Sequence, residues 1–269
     1  MNNNYQKMWD GWAVKKSASY LDYKFNPNHR VGLTNYLREK ELLKIINPQK
    51  EDVVLDAGCA SGRQLFKIAS KINKGCGVDI APDFIRRANF YKEEENINNL
   101  FFQQSILEEL SFEDSFFNKV ICCEVLEHVD DKDRVLKELL RVLKKGGSLI
   151  ITVPNMNANG TLWGRFLLFL KIRKFIPLSD FSEEGILKNG DANVRQFNKT
   201  TLVDWLKNND LSKIYIKSVS FIDGPMFDDL LFAPLHVGVI RSLIVKFEQL
   251  LTNNNLFFGR HLIIKLIKN

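Results

Sequence analysis

Within five residues, Glu124-Val125-Leu126-Glu127-His128 gathers two carboxylates and an imidazole. Spacings of three and four put Glu124, Glu127 and His128 on one face if a helix starts there. His128 is a candidate general base, because the unperturbed imidazole titrates near neutrality. Alternatively the trio holds a divalent cation that lowers the pKa of a nucleophile and positions it. The plainest alternative is a helix start with no chemistry of its own. A second constellation lies upstream, where Val53 to Arg63 read VVLDAGCASGR. An apolar run, an acid and a turn of small residues with two glycines suggest a strand followed by a loop that lets a ligand approach the backbone.

The loop spacing narrows the ligand. Counted from Gly58, the dinucleotide pattern G-x-G-x-x-G would need glycines at Ala60 and Arg63, so it fails twice. A phosphate-binding P-loop would need a lysine and a hydroxyl residue after its last glycine, and Arg63 with Gln64 supplies neither. Asp79 follows Asp56 by 23 residues, and a carboxylate there can accept from both hydroxyls of a ribose. Together these features point to a nucleoside ligand without phosphate.

Strand-length apolar runs alternate with helical periods, the pattern of a parallel sheet covered on both faces. VVLDAG, GCGVDI (Gly75 to Ile80), LFFQQ, KVICCEV (Lys119 to Val125) and SLIITVP supply five strands. The spacing predicts helices over Gly62 to Ser70, from Pro82 to about Glu95, and over Asp131 to Leu143, the last ended by Gly146-Gly147. Asn198 to Asp210 reads as a further helix, IYIKSVSF as a sixth strand and HLIIKLIKN as a closing one. Ligands of such open sheets bind at the carboxyl ends of the strands, which is where the glycine loop falls.

Composition sets the outer bounds. A chain of 269 residues can bury one full core, and its formal charge of +6 mildly favours anionic partners or membrane surfaces. The four cysteines, Cys122 and Cys123 adjacent, form neither a disulfide framework nor a C-x-x-C pair, which fits a reducing compartment. The N-terminal MNNNYQKMWDGW does not read as a secretory signal, and no run reaches the ~18 apolar residues of a membrane span. The expected location is cytoplasmic, with membrane association left open.

LDAGCASGR, GVDIAP, LSFEDSFFNKVICCEVLEHV and LKELLRVLKKGGSLIITVPN, in this order and spacing, resemble the successive motifs of the class I S-adenosylmethionine-dependent methyltransferases. The resemblance runs from about Val53 to Pro154. It implies a Rossmann-like, doubly wound α/β fold with a seven-stranded, mostly parallel sheet, an antiparallel last strand and helical insertions. It also implies S-adenosylmethionine as cofactor. Gly58, Cys59 and Gly62 would make room for its methionine part, Asp56 would orient the loop and the cofactor's ammonium, and Asp79 with Ile80 would bind the ribose. Ser105 and Ile106 would flank the adenine, with Cys123 also at the cofactor. Ala60 departs from a usual glycine, and Ser105 stands about where an aspartate is common. E-x-x-E-H is similar to a metal-binding motif of quinone-biosynthesis O-methyltransferases and small-RNA 2′-O-methyltransferases. A further histidine of that pattern is replaced by Asn193, so a divalent cation is not favoured.

Substrate recognition is expected outside the core, within one methyltransferase domain over 1–269. Its parts are an N-terminal lid or helical segment (1–46), a cofactor-binding core (47–155) and substrate-side insertions (156–197 and 222–259). Leu162 to Ile176, LWGRFLLFLKIRKFI, carries Arg165, Lys171, Arg173 and Lys174 with no acid, a pattern shared by interfacial helices and by helices packed in a substrate domain. The expected acceptor is a small molecule, a glycan or a lipid-linked compound, methylated at oxygen, with peripheral membrane contact open. Nucleic acid is disfavoured because the basic residues form no recognisable RNA module. An RNA methyltransferase and a catalytically silent cofactor-binding regulator stand as the alternatives. Oligomeric state is not legible.

Overall fold

The computed structural model describes residues 30–155, 197, 199–207, 211–219, 246, 249–253, 259 and 261–269. Helix α1 spans Arg30–Ile46, followed by β1 (Val53–Ala57), α2 (Arg63–Ile68), β2 (Lys74–Asp79) and α3 (Pro82–Glu94). Then come β3 (Leu100–Gln104), β4 (Phe117–Cys123), α4 (Lys132–Val142), β5 (Leu143–Pro154), α5 (Lys199–Lys207), β6 (Leu211–Val219) and β7 (His261–Lys268).

These strands form one seven-stranded sheet in the order β3-β2-β1-β4-β5-β7-β6, in which β7 runs antiparallel to both of its neighbours. The chain reverses its direction of travel between β1 and β4, so the carboxyl ends of β1, β2 and β4 surround the switch point where α/β folds bind ligands. Both faces are covered, which is why the central strands read as unbroken apolar runs. Val54, Ile121, Ile150 and Ile263 face Leu42, Ile46, Leu65, Ile85 and Ala88, from α1, α2 and α3. On the opposite face Leu55, Val120, Leu149 and Ile264 meet Val135, Leu136, Leu139, Leu202 and Leu206, from α4 and α5. Each such fully buried aliphatic side chain contributes about 1.5–3 kcal/mol over its exposed state.

Helix boundaries shift from the expected ones for local reasons. The helix predicted from Gly62 keeps α-geometry only through Ile68 and tightens into a 3₁₀ turn over Ala69–Lys71. Asp131 caps α4 by accepting from the Arg134 amide at 3.0 Å, so it lies just outside the helix. At the other end β5 begins at Leu143, ahead of the two glycines, and Gly146 adopts φ +73° where the register slips between the Phe117 and Lys119 pairings. The helix start that would put Glu124, Glu127 and His128 on one face is not formed. Those residues make a turn, with the His128 amide donating to the Val125 carbonyl at 2.8 Å, and α4 starts only at Lys132.

Ion pairs dock α1 along its sheet face. Glu39 is bound by Arg63 (2.6 Å) and Lys67, and Glu41 by Lys217 of β6 (2.5 Å). At the carboxyl end of β5, Asn155 bridges to Phe197 and its amide donates to the Gly259 carbonyl at 2.8 Å. The chain that departs after Asn155 therefore returns beside it, and the chain that precedes β7 is fastened to the same residue. Residues 1–29 of the expected N-terminal segment, Leu162 to Ile176 and Asn193 lie outside the described residues, as does most of 222–259. No helix among the described residues is long and apolar enough to cross a membrane.

Candidate active site

The glycine loop is built by β1 and β2 together. The amides of Gly58 and Cys59 both donate to the Val78 carbonyl, at 2.8 and 2.9 Å, which folds the loop back over the end of β2. Gly58 sits at φ +78°, and a Cβ there would come within 2.4 Å of Val125 Cγ2. Gly62 sits at φ +83°, with Phe102 filling the space a Cβ would need (2.5 Å). Glycine is thus required at both positions by conformation and by packing. Ala60, between them, also takes a left-handed φ of +45°. Its amide donates to Asp79 Oδ2 at 2.9 Å, while Asp79 Oδ1 accepts from the Ala81 amide at 2.9 Å.

Two acids therefore flank this loop. Asp79 is half-buried at the end of β2. Burial raises its pKa, opposed by the bonds from the Ala81, Ala60 and Ile80 amides. A carboxylate has roughly four lone-pair sites, so acceptor capacity remains for a further donor. Asp56 is 1% exposed, and its Oδ2 has no hydrogen-bond partner among the described residues. Burial and the neighbouring Asp79 push its pKa up to about 7. Neither acid has an ion-pair partner among the described residues, so a ligand bringing positive charge and a pair of hydroxyls fits these acceptors. Ile80 follows Asp79 and is half-buried, its carbonyl accepting from Gln104 Nε2 at 3.0 Å. Ser105 and Ile106, both half-buried, continue β3 beside them, where the Ser105 amide donates to the Asp79 carbonyl at 3.0 Å. Cys59 is buried and Cys123 half-buried, and burial pushes both thiols well above their ordinary range.

At the end of β4 the expected trio is divided. Glu124 Oε1 accepts from Thr152 Oγ1 at 2.8 Å, while Arg38 Nη1 and His261 Nε2 each lie 3.3 Å from Oε2. Burial raises its pKa, but the charges of His261 and Arg38 outweigh that and hold the carboxyl well below the usual range. Glu127 is 2% exposed, and its Oε2 lacks a partner among the described residues. Burial and the negative charge of Glu124 push its pKa well up. His128 Nε2 lies 4.0 Å from Glu127 Oε1. Burial lowers the imidazole's pKa, with Glu124 opposing, which keeps His128 neutral at physiological pH. Among the described residues no group of three or more His, Cys, Asp or Glu is arranged to hold a metal ion.

Arg38, Thr152 and His261 carry no motif. They come from α1, β5 and β7, and only the strand order β4-β5-β7 brings the last two next to Glu124.

The doubly wound sheet carries a left-handed glycine loop flanked by two acids at its switch point, a Rossmann-like arrangement. A profile described as "Methyltransferase domain" matches residues 48–187, and the chain belongs to this family of class I S-adenosylmethionine-dependent methyltransferases. An uncharacterized methyltransferase of Bacillus subtilis, YcgJ, is 27% identical over 138 residues, 51% of each chain. The ubiquinone biosynthesis O-methyltransferase of Serratia proteamaculans is 26% identical over 142 residues, 53% of this chain and 58% of that protein. This chain thus spans little more than half the length of either relative. Phosphoethanolamine N-methyltransferase 2 of Haemonchus contortus, solved with S-adenosyl-L-methionine, superposes with a TM-score of 0.62 at 17% identity, over 98% of this chain and 60% of that one, a likeness of fold.

Proposed function

We propose that this chain transfers a methyl group from S-adenosylmethionine to an oxygen of a small-molecule, glycan or lipid-linked acceptor. The reading rests on one observation: two acids without ion-pair partners among the described residues, Asp56 and Asp79, flank a left-handed glycine loop whose first glycine packs on the turn carrying His128. The bound cofactor supplies a methyl group already activated on a sulfonium, with a neutral thioether as leaving group. Asp79 and Ile80 take the ribose, Gly58, Cys59 and Gly62 leave room for the methionine part, and Asp56 faces its ammonium. Ser105 and Ile106 flank the adenine, and Cys123 closes the side toward β4. The protein's remaining task is alignment and removal of the hydroxyl proton. His128, half-buried and with its pKa lowered by burial, accepts that proton. Glu124 is already held by Arg38, His261 and Thr152, so this reading gives it no metal ion.

All 269 residues serve one domain in this reading, with 1–46, 156–197 and 222–259 on the acceptor side. An oxygen acceptor is supported by the Serratia relative, whose name describes an O-methyltransferase. A lipid-linked acceptor, reached in the cytoplasm or at a membrane surface, is supported by the acid-free basic stretch Leu162 to Ile176. The test is incubation with methyl-labelled cofactor and separated lipid, glycan, small-molecule and RNA fractions. Label in an oxygen-linked methyl of one of the first three supports the reading. Label confined to RNA or to nitrogen overturns the acceptor, and no transfer to any fraction by protein that binds the cofactor marks a regulator.

A further inference from the structure

Glu124 stands where β4 ends, and its left-handed backbone, φ +55°, turns the chain away from the sheet. A glutamate holds that conformation only where its surroundings fix it. Here three elements do so: β5 through Thr152, α1 through Arg38 and the first residue of β7 through His261. The turn that Glu124 starts then presses Val125 onto Gly58, where a Cβ would meet Val125 Cγ2 at 2.4 Å. The cofactor loop and the ion pairs thus meet the turn at adjacent residues, Val125 and Glu124. Arg38 and His261 lie close in sequence to two of the three segments assigned to the acceptor side, 1–46 and 222–259.

We propose that Glu124 is a positioning residue, through which Arg38 and His261 set the conformation of the glycine loop by way of Val125 and Gly58. This rests on the methyltransferase reading. A carboxylate that bridges a guanidinium, an imidazole and a hydroxyl can hold the turn without touching cofactor or acceptor. Losing the guanidinium leaves Oε2 to the imidazole alone, the turn relaxes toward ordinary backbone angles, and Val125 withdraws from Gly58. The loop amides that donate to Val78 then open more often.

Amide hydrogen exchange on the full chain, with calorimetric titration of S-adenosylhomocysteine, tests this. Glu124→Gln retains the shape and the Thr152 bond but loses the charge. In Glu124→Gln and in Arg38→Ala the Gly58 and Cys59 amides should exchange at least about threefold faster, while those of Val120 and Ile121 do not change. S-Adenosylhomocysteine should bind roughly three- to tenfold more weakly to both, and Arg38→Lys should recover most of the loss. Combining Glu124→Gln with Arg38→Ala should weaken binding no further than either alone. Unchanged loop exchange, equal acceleration throughout the core, or faster loop exchange with unaltered affinity overturns the proposal. So does unaltered or tighter binding by Glu124→Gln, because Arg38 would then act on the ligand directly. If the parent fails to bind while loop exchange responds as stated, the methyltransferase reading fails and the linkage stands.

Discussion

The amide of Ala60 donates to the carboxylate of Asp79 at 2.9 Å, so the acid assigned to the ribose also fastens the loop assigned to the methionine. One side chain serves the binding surface twice, as contact and as scaffold. Asp79→Ala should therefore cost more than the ribose bonds alone. Losing even one charge-assisted bond, worth about 1.5–3 kcal/mol, weakens S-adenosylmethionine binding at least about tenfold, and the released loop adds to this. Calorimetric titration of folded protein checks the value. Full affinity in the variant would remove Asp79 from the site.

Ala60 holds a left-handed φ of +45° that glycine adopts without strain. Ala60→Gly should raise folding stability by up to about 1 kcal/mol, because the relieved backbone strain exceeds the entropy glycine adds to the unfolded chain. Denaturant unfolding of the two proteins measures this. A loss of stability would show that the Asp79 bond has already made the conformation favourable for alanine.

Asp56 should make both stability and cofactor binding depend on pH. Its folded pKa, about 7, is above the ordinary 3.8, so the folded state retains a proton that the unfolded chain has released. The stability this gives is complete below about pH 4 and is lost as pH rises to about 7, a change on the order of 4 kcal/mol. Asp56→Asn should flatten that slope. A cationic cofactor favours the ionised acid, so binding near pH 7 should release a fraction of a proton. Titrations in buffers of different ionisation enthalpy count it, and Asp56→Asn should abolish it.

His128→Ala should lower turnover by about 10²-fold if the imidazole accepts the acceptor's proton. Burial depresses its pKa below the ordinary 6.5, so the acid limb of the pH–rate profile should fall below that value and vanish in the variant. Turnover within about twofold of the parent would take the base role from His128.

Much of this architecture was legible because its signals are local. The seven strands follow apolar runs, and the loop follows the spacing of Asp56, Gly58, Gly62 and Asp79. The Glu124 trio was not legible in the same way. Spacings of three and four imply one face only on a helix, and the left-handed backbone at Glu124 breaks that premise. Nor does any periodicity announce Arg38 or His261, whose meeting with Glu124 depends on helix docking and strand order over 86 and 137 residues (124 − 38 and 261 − 124). Ala60 shows the reverse case. It looked like a departure from a glycine pattern, yet the backbone keeps the glycine conformation and a carboxylate secures it.

The placing of β7 between β5 and β6 also sets a timetable. Among the described residues strand β6 pairs only with β7, so on the ribosome it is finished at Val219 and must wait for residues 261–268 before it can join the sheet. At typical translation rates that wait is roughly 2 to 10 s, during which β5 also presents an open, apolar edge. A nascent chain stalled between 220 and 260 would expose two unpaired strands at once. Such intermediates invite capture by a chaperone or by another chain, so the yield of this protein should be more sensitive to slow codons in that stretch than in the glycine loop.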